Sequence, residues 1–128
     1  MNVLDENFPD DERLVLLRKG IHVRQIGRDI GIEGMGDDQI IPLLHGLDRP
    51  TFFTHDEDFY RRRFCHQGYC LVNLAVDEEH LAEYVLRVLR HPALSSKAKR
   101  MGQVIQAQPT GLTVWRIHAK KAVRLDWD

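Results

Sequence analysis

Short apolar runs that are typical of β-strands alternate with helix-like segments from the start of the chain as far as Leu89. In sequences of this kind, strands that alternate with helices build a mainly parallel sheet, and the helices pack on its faces. We therefore predict an α/β domain of three layers with a mainly parallel central sheet. One domain over residues 1–128 is expected, because 43% apolar residues in a chain of this length can supply a single core.

The predicted strands are apolar or alternating runs that lie between turn-forming residues. They cover residues 2–4, 21–26, 51–54, 69–76, 104–107, 112–118 and 123–127. The first four belong to a predicted core over about residues 1–91. The last three form a predicted strand-rich C-terminal extension over about residues 92–128.

Three helices are predicted between these strands, with a further short basic turn over residues 95–101. The first covers residues 12–19, where Leu14 and Leu17 lie at helical spacing. The second has Asp37 as its predicted N-cap, and Pro42 then predicts a shifted start or a kink. The third follows a predicted cap at Asp77 and ends before Pro92.

Acidic side chains follow two of the predicted strands and open one of the helices. Asp5 comes directly after residues 2–4, Asp56 and Asp58 follow residues 51–54, and Asp37 begins the second helix. The carboxyl ends of parallel strands meet at one edge of a sheet, which is where sites in open α/β domains lie. Each acid taken alone is more often an N-cap or a turn former than a ligand.

A cluster of these carboxylates needs compensation, since two of them about 4 Å apart repel by about 4 kcal/mol at an effective dielectric of about 20. Oxygen ligands of this kind suit Mg²⁺ or Mn²⁺. Such an ion activates water and stabilises charge on a phosphate group. The pattern therefore favours hydrolysis of phosphodiester bonds.

Basic residues lie directly after the acidic segment. Arg61, Arg62 and Arg63 are candidates for binding the backbone of RNA, and a solvated turn is the equally weighted alternative. Further candidates for this role, for which surface charge is the favoured interpretation, are Lys97, Lys99, Arg100, Lys120 and Lys121.

Zinc is a weaker alternative metal, because cysteine and histidine occur close together in the sequence. His55, Cys65, His66 and Cys70 are of the right types, but the two cysteines are too widely spaced for the usual paired-ligand loop. Cys70 also lies in an apolar run, where buried packing is the expected role.

Charge and cysteine content constrain the setting of the protein. The net charge of −1 supplies no global basic field, so that RNA binding would depend on a local patch. Two cysteines are too few for a disulfide framework, and no apolar segment precedes Asp5 to act as a signal or membrane anchor. A cytoplasmic protein without membrane attachment is expected.

Three motifs in order carry a family resemblance: residues 4–7 (LDEN) with Pro9, residues 36–40 (GDDQI) and residues 54–59 (THDEDF). Over roughly the first two thirds of the chain this pattern resembles the PIN-like proteins related to toxin nucleases, and most of all their compact, short-chain group. The resemblance implies a PIN-like fold, a Mg²⁺ or Mn²⁺ site and cleavage of RNA. It also implies a toxin of a toxin–antitoxin pair, with an antitoxin protein as partner.

Carried over by position, the resemblance implies that Asp5, Asp37 and Asp56 bind the metal, with Asp58 as a fourth acid. Larger PIN nucleases have a further acidic residue on an intermediate helix, and this chain is too short there to contain it. Glu6 and Asp38 are the candidate substitutes.

The missing acid keeps two other hypotheses open. One is a PIN-like binding or regulatory module that has an acidic metal-binding cavity and reduced catalysis. The other is a structural interaction protein in which the acids only cap helices. A homodimer is a further candidate partner state, with Tyr84, Leu81 and Val88 either at its interface or in the protein's own core.

Overall fold

Seven strands form one sheet in the computed structural model, which describes residues 1–128. They are β1 (Asn2–Leu4), β2 (Val23–Gln25), β3 (Thr51–Thr54), β4 (Cys70–Leu74), β5 (Gln103–Gln108), β6 (Gly111–Arg116) and β7 (Val123–Leu125). Their order across the sheet is β2-β1-β3-β4-β5-β6-β7. The first five pair in parallel, whereas β6 and β7 are antiparallel to their neighbours. The predicted α/β class with a mainly parallel sheet is confirmed.

Four helices accompany the sheet: α1 (Asp10–Arg18), α2 (Asp37–His45), α3 (Leu81–Arg90) and the short α4 (Lys97–Arg100). Single 3-10 turns lie at Glu57–Phe59, Arg62–Phe64 and Glu78–His80. None of the helices has the length and apolar character needed to cross a bilayer.

Helices cover both faces of the sheet, because successive strand residues point to opposite faces. On β3, Phe53 belongs to the apolar cluster that contains Leu16 of α1 and Val85 of α3. Its neighbour Phe52 belongs to the second cluster, which contains Ile40 of α2. The near-continuous apolar runs predicted as strands follow from this burial on both faces.

The direction of the chain across the sheet changes between β1 and β3. The chain passes from β1 to β2 on one side and then returns to place β3 on the other side of β1. This arrangement leaves a crevice at the carboxyl ends of the two strands. The backbone N–H of Asp5 donates to the carbonyl of Phe53 at 3.0 Å, and strands β1 and β3 both end there.

The chain after residue 91 continues the same sheet. Strand β5 pairs in parallel with β4, with Val72 opposite Ile105. The β5–β6 hairpin and β7 then extend the sheet to its edge. Trp115 and Trp127 are both half-buried.

Two helix predictions need correction in detail. Gly36, not Asp37, is the N-cap of α2, because the side-chain oxygen of Gln39 accepts the Gly36 N–H at 3.0 Å. Asp77 precedes the 3-10 turn Glu78–His80 without a capping hydrogen bond from its side chain, and the N-cap of α3 is His80. In α1 the buried residue is Leu16, whereas Leu14 and Leu17 are each 40% exposed.

The assignment of Arg100 to surface charge is wrong. Its guanidinium is buried, where Nε donates to Thr51 Oγ1 at 3.0 Å and Nη1 donates to the Leu94 carbonyl at 2.8 Å. These bonds tie α4 to the amino-terminal end of β3. Burial lowers the pKa of Arg100 from its ordinary value.

Leu81, Tyr84 and Val88 are buried in the protein's own core.

Candidate metal centre

Three of the four predicted acids meet at the carboxyl edge of the sheet. Asp37, Asp56 and Asp58 are exposed, and one carboxylate oxygen from each lies within 4.8 Å of the others. We call these three residues the acidic centre. Asp5 lies outside this group, half-buried directly behind it at the end of β1. The metal roles of all four residues stay a prediction.

Local backbone structure brings Asp58 back beside Asp56. Asp56 is the N-cap of the 3-10 turn Glu57–Phe59, and its Oδ1 accepts the N–H of Asp58 at 2.9 Å. This hydrogen bond holds the Asp56 carboxylate against the backbone of Asp58, two residues along the chain. Asp37 reaches the same place from the first turn of α2, where the positive end of the helix favours an acid.

The hydroxyl of Thr54 connects Asp5 to the acidic centre. It donates to Oδ2 of Asp5 at 2.6 Å and accepts the backbone N–H of Asp56 at 3.0 Å. Thr54 is fully buried, so that its side chain has one fixed environment. Oδ1 of Asp5 accepts a second bond, from the N–H of Glu6 at 2.8 Å. Both oxygens of Asp5 are thereby oriented by donors from the protein.

A buried amide holds the segment that contains Asp5. Nε2 of Gln25, at the end of β2, lies 3.1 Å from the carbonyls of Asp5 and Glu6 and 2.9 Å from that of Phe8. Gln25 is buried, so these bonds form away from solvent. The exit from β1 is therefore fixed by its neighbouring strand.

Burial and mutual repulsion raise the pKa of two of the four acids. Desolvation is the largest cause for Asp5, and the charges of Asp56 and Glu6 add to it, against the lowering effect of the Thr54 and Glu6 hydrogen bonds. Desolvation is also the first cause for Asp37, followed by the charges of Asp56 and Asp58. A cation among these oxygens would offset the repulsion and lower the pKa of both acids.

The oxygen ligands fit a hard divalent cation. The acidic centre offers closely spaced, exposed carboxylates, as Mg²⁺ and Mn²⁺ prefer. The cationic side chain paired with it is Arg61, whose Nη2 lies 3.4 Å from Oδ1 of Asp58 with both groups exposed. Such a surface pair stabilises the protein little.

The two candidate substitutes for the missing acid differ in what they contact. Both oxygens of Glu6 accept the N–H of Gly34, at 3.1 and 2.8 Å, so this carboxylate holds the glycine-rich loop. Asp38 is exposed in the first turn of α2, and its charge contributes to the raised pKa of Asp37.

The three predicted RNA-binding arginines are exposed and take different positions. Arg61 also donates to the carbonyls of Glu57 and Tyr60, which holds it beside the acidic centre. The guanidinium of Arg62 lies 5.4 Å from the centre of the Trp115 ring, and that of Arg63 lies 5.0 Å from the Phe64 ring. Arg61 is the one that pairs with the centre.

A second group of ligand-type side chains lies farther along the same edge, at Asp77, Glu79 and His80. Neither group contains a cysteine. Cys70 is buried in the core, where burial raises its pKa to about 12, as packing predicts. Burial likewise raises the pKa of the half-buried Cys65 thiol.

Sequence reasoning assigned no role to Thr54, Gln25 or Asn73, the last of which lines a cavity next to the acidic centre. Thr54 opens the third motif, and a polar residue at the end of an apolar strand is the pattern that marks it.

Comparisons of the chain with models of protein families, with curated proteins and with solved structures find no match.

Proposed function

We propose that the protein is a ribonuclease of PIN-like fold that depends on Mg²⁺ or Mn²⁺. The close approach of carboxylate oxygens from Asp37, Asp56 and Asp58 carries this proposal, because a bound cation would offset their mutual repulsion. Its place at the carboxyl edge, where the chain changes direction between β1 and β3, supports a binding site there.

Asp37, Asp56 and Asp58 would hold the ion, and Asp5 would complete the site from behind. The chemistry that a divalent cation supplies when bound is activation of water and neutralisation of charge on the phosphate. The protein's own residues orient these ligands. Thr54 fixes the Asp5 carboxylate and the backbone of Asp56, so that the oxygens are positioned before any ligand binds.

Arg61 is placed to contact the RNA backbone at the acidic centre. Its guanidinium is held by two backbone carbonyls and lies beside Asp58. A planar guanidinium matches the oxygens of a phosphate group. Arg62 and Arg63 would extend this contact along the RNA strand. In this proposal the protein is the toxin of a toxin–antitoxin pair, and an antitoxin would cover the same edge.

The direct experiment measures cleavage of a structured and an unstructured RNA with Mg²⁺ or Mn²⁺. We expect the wild type to cut RNA, and Asp5→Asn and Asp56→Asn to be inactive. Asp11→Asn is the matched control, because it removes one exposed carboxylate charge outside the acidic centre. Equal activity of the wild type, Asp5→Asn and Asp56→Asn would refute the assigned site.

A binding or regulatory module with reduced catalysis is the second candidate. The bond between Glu6 and the Gly34 amide favours it, since that carboxylate is then not free to replace the missing acid. This candidate predicts metal binding without RNA turnover. The third hypothesis, in which the acids only cap helices, predicts no stabilisation by metal.

A further inference from the structure

A cavity of about 680 Å³ lies next to the acidic centre and is not used by the proposed metal chemistry. Among the residues that line it are His55, Glu57, Asn73, Asp77, His80 and Glu83. His55 and Glu57 alternate in sequence with Asp56 and Asp58. Successive Cα atoms are only about 3.8 Å apart, so one short segment borders both the centre and the cavity.

One of the residues that line the cavity has a buried donor without a partner. Asn73 is 2% exposed, and its Oδ1 accepts from Nε2 of Gln106 at 3.0 Å. Its Nδ2 makes no hydrogen bond. Buried polar groups are almost always paired, and an unmade bond there costs free energy. A ligand that presents an oxygen acceptor to Asn73 would remove this cost.

The other polar groups of the cavity mostly accept hydrogen bonds. Glu57, Asp77 and Glu83 supply carboxylates, and neither lysine nor arginine lines the cavity. Nε2 of His55 lies 2.8 Å from the carbonyl of Val76, so this nitrogen is already paired within the protein. A phosphate group is therefore disfavoured, and a ligand with N–H donors is favoured.

We propose that this cavity binds a nucleobase that carries both a carbonyl oxygen and an amino group, which means guanine or cytosine. The carbonyl would accept from Asn73, and the amino group would donate to one of the carboxylates, as acidic side chains accept from cytosine. Single-stranded RNA exposes its base edges in this way. The proposal rests on the proposed function, because it places this base beside the bond that is cut.

Binding of the four nucleosides, which lack phosphate, tests the cavity apart from cleavage. Titrations followed by NMR should show guanosine or cytidine binding about 10-fold more tightly than adenosine and uridine. Asn73→Ala should remove this preference. If Asn73→Ala does not fold, the exposed Glu57→Gln is the alternative variant, and it should weaken the preference. Asp11→Asn, at an exposed acid in the first turn of α1 that does not line this cavity, is the control and should keep it. Equal binding of all four nucleosides, or of none, would overturn the proposal.

Cleavage of four RNA oligonucleotides that differ in one base beside the cut then separates the two proposals. A preference for guanine or cytosine that Asn73→Ala abolishes supports both. Cleavage without base preference overturns the cavity proposal and leaves the nuclease. Selective nucleoside binding without any cleavage overturns the nuclease and leaves a base-binding cavity. Displacement of the nucleosides by a lysine-rich peptide that binds more tightly would assign the cavity to a basic protein partner and overturn the proposal.

Discussion

The carboxyl edge of the sheet carries two groups of exposed ligand-type side chains, and they are built differently. The acidic centre joins Asp37 of α2 to Asp56 and Asp58 after β3. The second group, Asp77, Glu79 and His80, comes from four consecutive positions around one 3-10 turn. Each group places its ligand atoms within 4.8 Å of one another, so distance alone does not separate them.

Support from buried residues does separate them. Behind the acidic centre, Thr54 bonds both Asp5 and the backbone of Asp56, and it is fully buried. Preorganised ligands bind a metal with less loss of side-chain entropy, and partners in a second layer strengthen the site. The side chains of Asp77, Glu79 and His80 make no hydrogen bond to the protein. We therefore expect a metal to select the acidic centre, where hydrogen bonds hold Asp56 and Asp58 in place.

The largest expected difference is in stabilisation by metal. At a concentration of Mn²⁺ about 100 times the dissociation constant, the free energy of unfolding should rise by about 2.7 kcal/mol. Asp56→Asn should abolish this gain, because it removes a central ligand, whereas Asp77→Asn should retain it. Urea unfolding with and without Mn²⁺ measures both. A gain that Asp77→Asn removes and Asp56→Asn keeps would reverse the comparison.

A smaller effect is expected when the support is removed and the ligands stay. Thr54→Val keeps the size of the side chain and removes its bonds to Asp5 and Asp56. We expect affinity for Mn²⁺ to fall about 10- to 100-fold, as measured by calorimetric titration. Thr113→Val on β6 is the control, since Thr113 is half-buried and its hydroxyl has no bond in the structure. Unchanged affinity in Thr54→Val would show that the buried bridge does not matter.

The smallest expected effect concerns the metal-free protein and its dependence on pH. The pKa of Asp37 is raised in the folded state, so folding favours the protonated acid and stability falls as pH rises from the ordinary value of 3.8 through the raised one. Asp37→Asn should therefore stabilise the protein at pH 7 by about 0.5 kcal/mol after solvent screening, a rise in melting temperature of about 2 °C.

Scanning calorimetry checks the prediction for Asp37. The difference from the wild type should disappear near pH 3, where the acid is protonated in both states. Asp38→Asn, one residue along the same helical turn, should give a smaller rise. A lower melting temperature for Asp37→Asn at pH 7 would contradict the repulsion.

Local patterns in the sequence were sufficient for the order of the elements. The apolar runs that became β1, β3 and β4 lie between turn-forming residues. Helix α1 begins two positions before its predicted start, and the N-cap of α2 lies one position before Asp37. The N-cap of α3, His80, lies three positions after the predicted Asp77. The burial of Arg100 could not be predicted in this way, because its partners Thr51 and Leu94 are set by how α4 packs against the sheet. In α1 the run Leu14–Leu17 is apolar on every side, so its spacing does not identify the buried residue.

The sequence was sufficient to predict which acids lie at this edge, but not which of them are exposed and which is half-buried. Their positions after strands place them at one edge, which depends only on parallel pairing. Two hydrogen bonds determine that Asp58 joins the exposed group while Asp5 lies behind it. One is inside the turn after Asp56, and the other is donated by Thr54. Such bonds follow from three-dimensional geometry, and no local sequence pattern specifies them.

The position of a bound ion tests the central claim most directly. Crystals soaked in Mn²⁺ would be measured for anomalous scattering, and the wild type should show a peak about 2.2 Å from oxygens of Asp37, Asp56 and Asp58. The Asp56→Asn variant should lack that peak under the same soak. A peak only at Asp77, Glu79 and His80, or none at the acidic centre when Mn²⁺ is well above the dissociation constant measured in solution, would contradict the assignment.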